Sequence, residues 1–358
     1  MQVFDEIQRT GINVITNSNL SDTQWIQASL PICDGGLGIR RAASLALPAF
    51  LASAAATAPL QHHILAPSSV QPDTAFEAAR SVWSNMFNKP QPTNTASQRA
   101  WDAAGKERDK QSVWNAASSL QDKARVLAAT ATHSGDWLHA LPISACGLRL
   151  DNEAIRVAVG LRLGLPLCAA HRCPCGAEVD PGGAHGLSCK QSAGRAARHQ
   201  QLNDLIYRAL RKADIPAIRE PIGLDRTDGK RPDGLTLVPW QSGRCLTWDV
   251  TVVDTLAATY ISNTSLLAGS ASEAAAVKKS AKYATIAAIH IFTPVALETL
   301  GTICDAATEF LSGLGRRITL ISNDPRETTY LFQRVSVLIQ RYNAVAFRGS
   351  FEETESES

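Results

Sequence analysis

Apolar and polar positions follow two different periods along this chain, and the period changes near its middle. From residue 1 to about 85 the pattern is helical and ends in an alanine-rich block, ASLALPAFLASAAATAPL. Pro, Asn, Thr and Ser then cluster over 87–98, FNKPQPTNTASQ, which predicts a linker or exposed loop. A second helical stretch, SVWNAASSLQDKARVLAAT, runs on to SACGLRLDN, so residues 1–150 are expected to be all-helical. From Asp151 a short helix and then a cysteine-rich segment to about 195 are expected, followed by a mixed pattern over 196–348. RAARHQQLNDLIYRALRKA sets Leu202, Leu205, Ile206, Ala209 and Leu210 at helical spacing, with Arg198, Arg208, Arg211 and Lys212 on other faces. IREPIGL, GLTLVP and CLTWDVTVV read as strands. The last of these directs Leu246, Trp248, Val250 and Val252 to one face and Asp249 to the other. SEAAAVKKSAKYATIAAI is a further helix, HIFTPVALET a strand interrupted by Pro294, and TICDAATEFLSGLG a helix stopped by Gly313 and Gly315. RETTYLFQRVSVLIQRYNAVAF makes a long last helix, and 349–358 is expected to be a disordered acidic tail. The class is α+β or α/β, with a helical region, a small metal-binding segment, and a mixed central sheet flanked by helices.

Composition bounds this picture. At 358 residues, 45% apolar and 19% charged, the chain can bury more than one core. Its longest apolar runs are broken by Pro, Gln or His, so no membrane span is expected, and MQVFDEIQRTG lacks the form of a secretory signal. A reducing compartment is the default. The net charge is only +2, but it is uneven. Residues 1–189 carry 15 basic and 15 acidic side chains, 190–350 carry 20 and 14, and the tail adds four glutamates. The basic segment fits either a polyanionic partner or an ordinary solvated surface.

Four of the eight cysteines fall within residues 168–189. Cys173, Cys175, His185 and Cys189 form C-x-C-x9-H-x3-C, and three thiolates with one imidazole are a common structural Zn²⁺ set. The Pro-Gly-Gly between them lets a short chain fold back on one ion. Cys168 and His171 are alternative ligands, and a loop of free buried cysteines is the competing reading.

Asp233 stands at the entry to one strand and Asp249 in the middle of the next, a separation that suits a hairpin with a long turn. Same-face side chains on adjacent strands approach to about 5 Å. Two carboxylates that close need a proton or a cation, and Mg²⁺ shared with phosphate oxygens is one answer. Glu220 is a third candidate acid. Lys278, Lys279 and Lys282 lie on the following helix, where a lysine could orient or deprotonate water or stabilise the pentavalent phosphate. The plain alternative is a solvent-facing Asp and a wet lysine face.

The order of these features, CCHC, RHQQLND, REP, RPDG, WDVTV, KKSAKY, resembles the C-terminal part of non-LTR retrotransposon proteins that carry a restriction-like endonuclease of the PD-(D/E)xK superfamily. The resemblance spans about Cys173 to Tyr283. It implies a restriction-endonuclease-like core over 196–348 that nicks DNA with Mg²⁺. Asp233 and Asp249 would be its acids, Lys279 or Lys282 its lysine, and Cys173, Cys175, His185 and Cys189 its Zn²⁺ set. Thr251 stands where a (D/E)xK lysine would be, so the lysine must come from the helix. The zinc segment and basic helix would grip the duplex, with Arg195, Arg198, Arg208 and Arg231 as candidate contacts. Residues 25–53 are similar to the helical segment after a reverse-transcriptase palm. No Asp-Asp pair occurs in the chain, so a palm is not expected. The implied partners are DNA, element RNA and a reverse transcriptase acting in trans, in the nucleus or, alternatively, the cytoplasm. A non-catalytic nucleic-acid-binding remnant is the competing function.

Overall fold

A computed structural model describes residues 1–64, 73–224, 229 and 231–351 of the chain. Most of the acidic tail, 352–358, lies outside the described residues. The described chain forms two compact units. The first comprises Met1–Ile15 and Asn19–Ala116, and the second Thr16–Ser18 and everything from Ala117 onward.

The first unit is helical: α1 (Gln2–Thr16), α2 (Asp22–Ser29), α3 (Ala42–Ile64), α4 (Thr74–Phe87) and α5 (Gln98–Ala116). Its chain punctuation is local. Ser21 and Gln24 form a reciprocal capping box on α2, and the Asp5 carboxylate accepts from the first amides of α3, Ala42 and Ala43. The core centres on Leu51, Trp83 and Trp101, the two indoles edge-to-face at 5.0 Å. The alanine-rich block was expected to be broken by proline, but α3 continues through Pro48 and Pro59 for 23 residues. By length and composition alone it is long and apolar enough to cross a membrane.

The second unit is mixed α+β. Helices α6 (Leu120–Thr130), α7 (Asp136–His139) and α8 (Asn152–Leu163) precede a two-stranded ribbon, β1 (His171–Arg172) with β2 (Glu178–Val179), and the short α9 (Ala184–Ser188). Then come α10 (Ala193–Lys212), β3 (Ala217–Arg219), β4 (Gly234–Thr236), β5 (Leu246–Val253), α11 (Ile261–Thr264), α12 (Ser270–Lys282), α13 (Ala284–Ala287), β6 (Ile291–Glu298), α14 (Asp305–Ser322) and α15 (Glu327–Arg348). The second sheet has the order β3-β4-β5-β6, antiparallel at its first two junctions and parallel between β5 and β6. Leu246, Trp248 and Val250 of β5 pack into a core with α10, α14 and α15. α12 serves the Asp249 face, and its first turn is fixed by buried Glu298, which accepts from the amides of Ala271 and Ser272.

Two expected interruptions do not occur. Pro294 sits buried inside β6, the last strand in the sheet order, so its missing N–H can fall on the side away from β5 and costs no ladder bond. α14 runs through Gly313 and Gly315 to Ser322. Gly315 serves close packing instead: a Cβ there would lie 2.5 Å from Thr328 Oγ1 of α15. The glycine of the RPDG motif has the same kind of role. A Cβ on Gly234 would land on the fully buried indole of Trp248, its cross-strand partner. Gly234→Ala should therefore destabilise the protein by about 1–3 kcal/mol through overpacking. An unchanged urea midpoint would show that the indole can move aside.

Candidate functional site

Sheet register places the acids. Gly234 pairs with Trp248, so Asp233, one residue earlier, stands across from Asp249; Arg219 pairs with Gly234, so Glu220 stands across from Asp233. The backbone supports this row: Glu220 N–H donates to Asp233 O at 3.0 Å, and Val250 N–H donates to Asp233 Oδ2 at 2.6 Å. Glu220, Asp233 and Asp249 thus lie in one line across three neighbouring strands.

The three carboxylates sit in different surroundings. Asp249 is 4% exposed, because β5 is covered on both faces; a solvent-facing Asp is not what the structure holds. Tyr283 Oη donates to Asp249 Oδ1 at 3.0 Å and also to Arg231 O at 2.9 Å. Oδ2 of Asp249 is taken by the ammonium of Lys279, which lies against it as an ion pair. Burial, helped by the charge of Asp233, holds the Asp249 carboxyl above the usual carboxylate range, and Lys279 opposes this. Asp233 Oδ2 also meets His199 Nε2 at 3.1 Å, a contact that raises the His199 pKa. Glu220 is exposed, with a left-handed φ of 47°.

Lys279 is therefore the lysine that reaches Asp249. Lys282 is exposed on the last turn of α12, and Lys278 lies over the Tyr260 ring at 5.6 Å. Of the four arginines expected to face a duplex, Arg195, Arg208 and Arg231 are exposed, and Arg208 pairs with Asp204. Arg198 does not fit that expectation. It is 2% exposed, donates to Asn343 Oδ1 at 2.8 Å and Leu187 O at 3.1 Å, and burial lowers its pKa to about 10. It is an internal strut, unable to contact a ligand from where it lies.

His199 and Tyr283 were not singled out from sequence. Both lie inside stretches whose composition stood out, RHQQLND and KKSAKY, and Tyr283 directly follows the lysine helix. Asn203 joins the same framework, accepting from Trp248 Nε1 at 2.8 Å and donating to Asp233 O at 3.4 Å.

The second cluster is the cysteine segment. The β1–β2 ribbon turns at Gly176, where φ is 89°, and carries Cys173 and Cys175; α9 and its end supply His185 and Cys189. The four ligand atoms all lie within 4.8 Å of one another, so the group could hold a metal ion. Cys173 and Cys189 sulfurs are 3.8 Å apart, and Cys175 Sγ is 3.2 Å from His185 Nε2. A tetrahedral ion with bonds of about 2.3 Å to sulfur sets its sulfurs about 3.8 Å apart. Burial pushes the Cys173 thiol up to about 11, while the backbone N–H of Ala177 brings Cys175 down to about 7. The alternative ligands are engaged elsewhere: Cys168 Sγ points to Asp180 O at 3.6 Å, and His171 stacks on Phe351 and meets Ser350 O at 3.1 Å.

The chain matches no protein-family model and no curated protein.

Proposed function

We propose that the second unit is a metal-dependent DNA endonuclease that nicks one strand, built on a restriction-like core and stabilised by a structural Zn²⁺ at Cys173, Cys175, His185 and Cys189. The observation that carries this reading is the line of Glu220, Asp233 and Asp249 across three strands, with Lys279 delivered from the next helix onto Asp249. The order of residues is the one the family resemblance implies, and a buried carboxylate at its centre is the kind of ligand a hard cation takes.

Asp233 and Asp249 would hold Mg²⁺, with Glu220 as an outer acid. When bound, that ion supplies positive charge to polarise a phosphodiester and acidify water. The remaining roles belong to the protein. Tyr283 fixes the orientation of the Asp249 carboxylate, and the Val250 amide fixes that of Asp233. Lys279, ion-paired with Asp249, can stabilise a pentavalent phosphate and orient the attacking water. Attack of water on phosphorus breaks the bond to the 3′ oxygen and leaves a 3′-hydroxyl, an end that a reverse transcriptase supplied in trans could extend.

A second reading is a nucleic-acid-binding remnant. It is favoured by one feature: Lys279 and His199 already balance both aspartates. Nicking of supercoiled plasmid with Mg²⁺ separates the two. On the endonuclease reading, Asp233→Asn and Asp249→Asn each slow nicking by about 100-fold or more. Steeply salt-dependent binding with no cleavage by the unmodified protein supports the remnant. Equal rates in the unmodified and substituted proteins would sink the assignment.

A further inference from the structure

Helix α1 lies with its polar side against the first unit and its apolar side outward, the reverse of an ordinary surface helix. The inward side is held by hydrogen bonds. The Asp5 carboxylate accepts from the amides of Ala42 and Ala43, Arg9 pairs with Asp22 and donates to Leu20 O, and Asn13 Oδ1 accepts from the Leu20 amide. On the outward side, Val3, Phe4, Ile7, Val14 and Ile15 are each between 54% and 76% exposed. At about 100° per residue, these five and Gly11 fall within an arc of about 120° on one side of the helix.

Gly11 is a second, independent sign that this side meets a partner. A glycine inside a helix weakens it relative to alanine. Nothing in the fold asks for one here, since a Cβ at Gly11 would meet no atom within 4 Å. A bare position in the middle of an apolar stripe is where another backbone or a large side chain can come close.

The spacing of the stripe says what kind of partner fits. About a midpoint at Arg9, Val3 is matched by Ile15, Phe4 by Val14 and Ile7 by Gly11, so the set reads the same in both directions. Phe4, Ile7, Gly11 and Val14 also fall on a and d of a heptad, the seam along which helices pair. Laid antiparallel on a second copy, the stripe would set Phe4 against Val14 of that copy and Ile7 against its Gly11, a large side chain over a bare position. A two-fold contact requires such a self-complementary patch.

We propose that the outward side of α1 is a homodimer surface, on which α1 of two copies pack antiparallel about a two-fold axis level with Arg9. The five side chains expose roughly 600 Å², at the upper end of what a monomer shows in one patch. Two copies would cover about 1,200 Å² in all, the lower bound of a standard stable interface. Exchange between monomer and dimer is therefore expected at micromolar concentration. The charged residues of α1 are Asp5, Glu6 and Arg9, so it lacks the basic polar side of a helix that lies on lipid.

Sedimentation velocity of the zinc-loaded full chain, from about 0.1 to 100 µM, tests this. Ile7→Glu, which sets charge into the seam of both copies, should weaken association at least about 100-fold, while Glu6→Gln, outside the stripe, should change it by less than about threefold. Phe4→Lys and Val14→Glu should each weaken it at least about tenfold; combined, they set opposite charges face to face in an antiparallel pair and should associate at least about tenfold more tightly than either alone. All four positions are exposed and make none of the bonds that hold α1, and circular dichroism with an unchanged melting curve checks that each variant is folded. A chain that stays monomeric overturns the proposal, as does a dimer that survives Ile7→Glu. A double variant no tighter than the single ones overturns it too, because parallel helices would bring like charges together. Monomeric protein that pellets with phosphatidylcholine vesicles, and ceases to with Ile7→Glu, would assign the surface to lipid instead.

Discussion

Cys189→Ser is expected to leave the protein unable to retain zinc and to lower its stability by roughly 3 kcal/mol or more, since structural Zn²⁺ supplies folding free energy of about 10 kcal/mol in small peptides. Cys189 is 3% exposed and closes the cluster just after α9. Only two short strands and one short helix surround the four side chains, so little apolar packing would replace an ion held there: the local cluster is Cys173, Val179 and Cys189, flanked by Cys168 and Cys175. What the segment supports lies beyond it. Leu187 O receives Arg198, and Gly183 and Gly186 pack against Phe347 and its backbone. Loss of the metal should therefore loosen the first turns of α10 and the last turn of α15, and faster amide exchange is expected over 168–199. Metal content by mass spectrometry, with exchange measured on the same sample, checks both halves. A chelated protein with unchanged melting and exchange would show that the cluster is an ordinary buried thiol group.

The second large effect is that of Lys279→Ala. Asp249 is buried while Lys279 is 27% exposed, so removing the lysine leaves a buried charge uncompensated and should cost about 3 kcal/mol, the lower end of the range for breaking a buried pair. Asp249 would keep Tyr283 as its remaining partner. The loss should depend on pH in a direction that follows from protonation. Burial already holds the Asp249 pKa above its unfolded value, so the native state binds more protons than the unfolded state between the two. Stability from this group is highest below the unfolded pKa and falls as pH rises through the folded one. Without Lys279 the folded pKa moves further up. The deficit of Lys279→Ala should be largest at neutral pH and shrink as the solution is acidified and Asp249 takes up a proton. Denaturation at several pH values without added Mg²⁺ measures this. Combining Lys279→Met with Asp249→Asn should restore most of the stability, because neither charge is then left alone. A deficit that is the same at every pH would mean that the lysine acts through packing.

Much of this was legible because strands are periodic. Alternation in CLTWDVTVV fixed which side chains enter the core, and the spacing of Asp233 and Asp249 suited the hairpin in which they face one another. Local spacing also brought out the four cysteine-segment ligands. The helix contributions were harder to read. The pattern of α10 defines a buried stripe, but it does not say which strand the helix crosses, and His199 depends on that crossing. Arg198 carried a usable signal that its charge concealed: it precedes Leu202 by four residues and Ile206 by eight, so it lies on the stripe that is buried. Gly315 and Pro294 were read as breaks because both residues usually punctuate chains. Here a neighbouring helix needs the absence of a side chain, and an edge strand tolerates the absence of an amide. Lys279 and Lys282 share a helix turn, and sequence gave no reason to choose between them. The ion pair with Asp249 does.

The line of acids crosses strands of very unequal length. Asp249 belongs to an eight-residue strand paired on both sides, whereas Asp233 and Glu220 flank strands of three residues, and that of Glu220 is at the sheet edge. Local opening free energies follow such differences, with short edge elements at the low end. Fraying of two short strands would separate the acids while the central strand, its buried carboxylate and the rest of the unit stayed folded. Whatever seats itself across β3 and β4 would therefore complete the site by suppressing that fraying, making the chain's competence a matter of local order at one edge of one sheet.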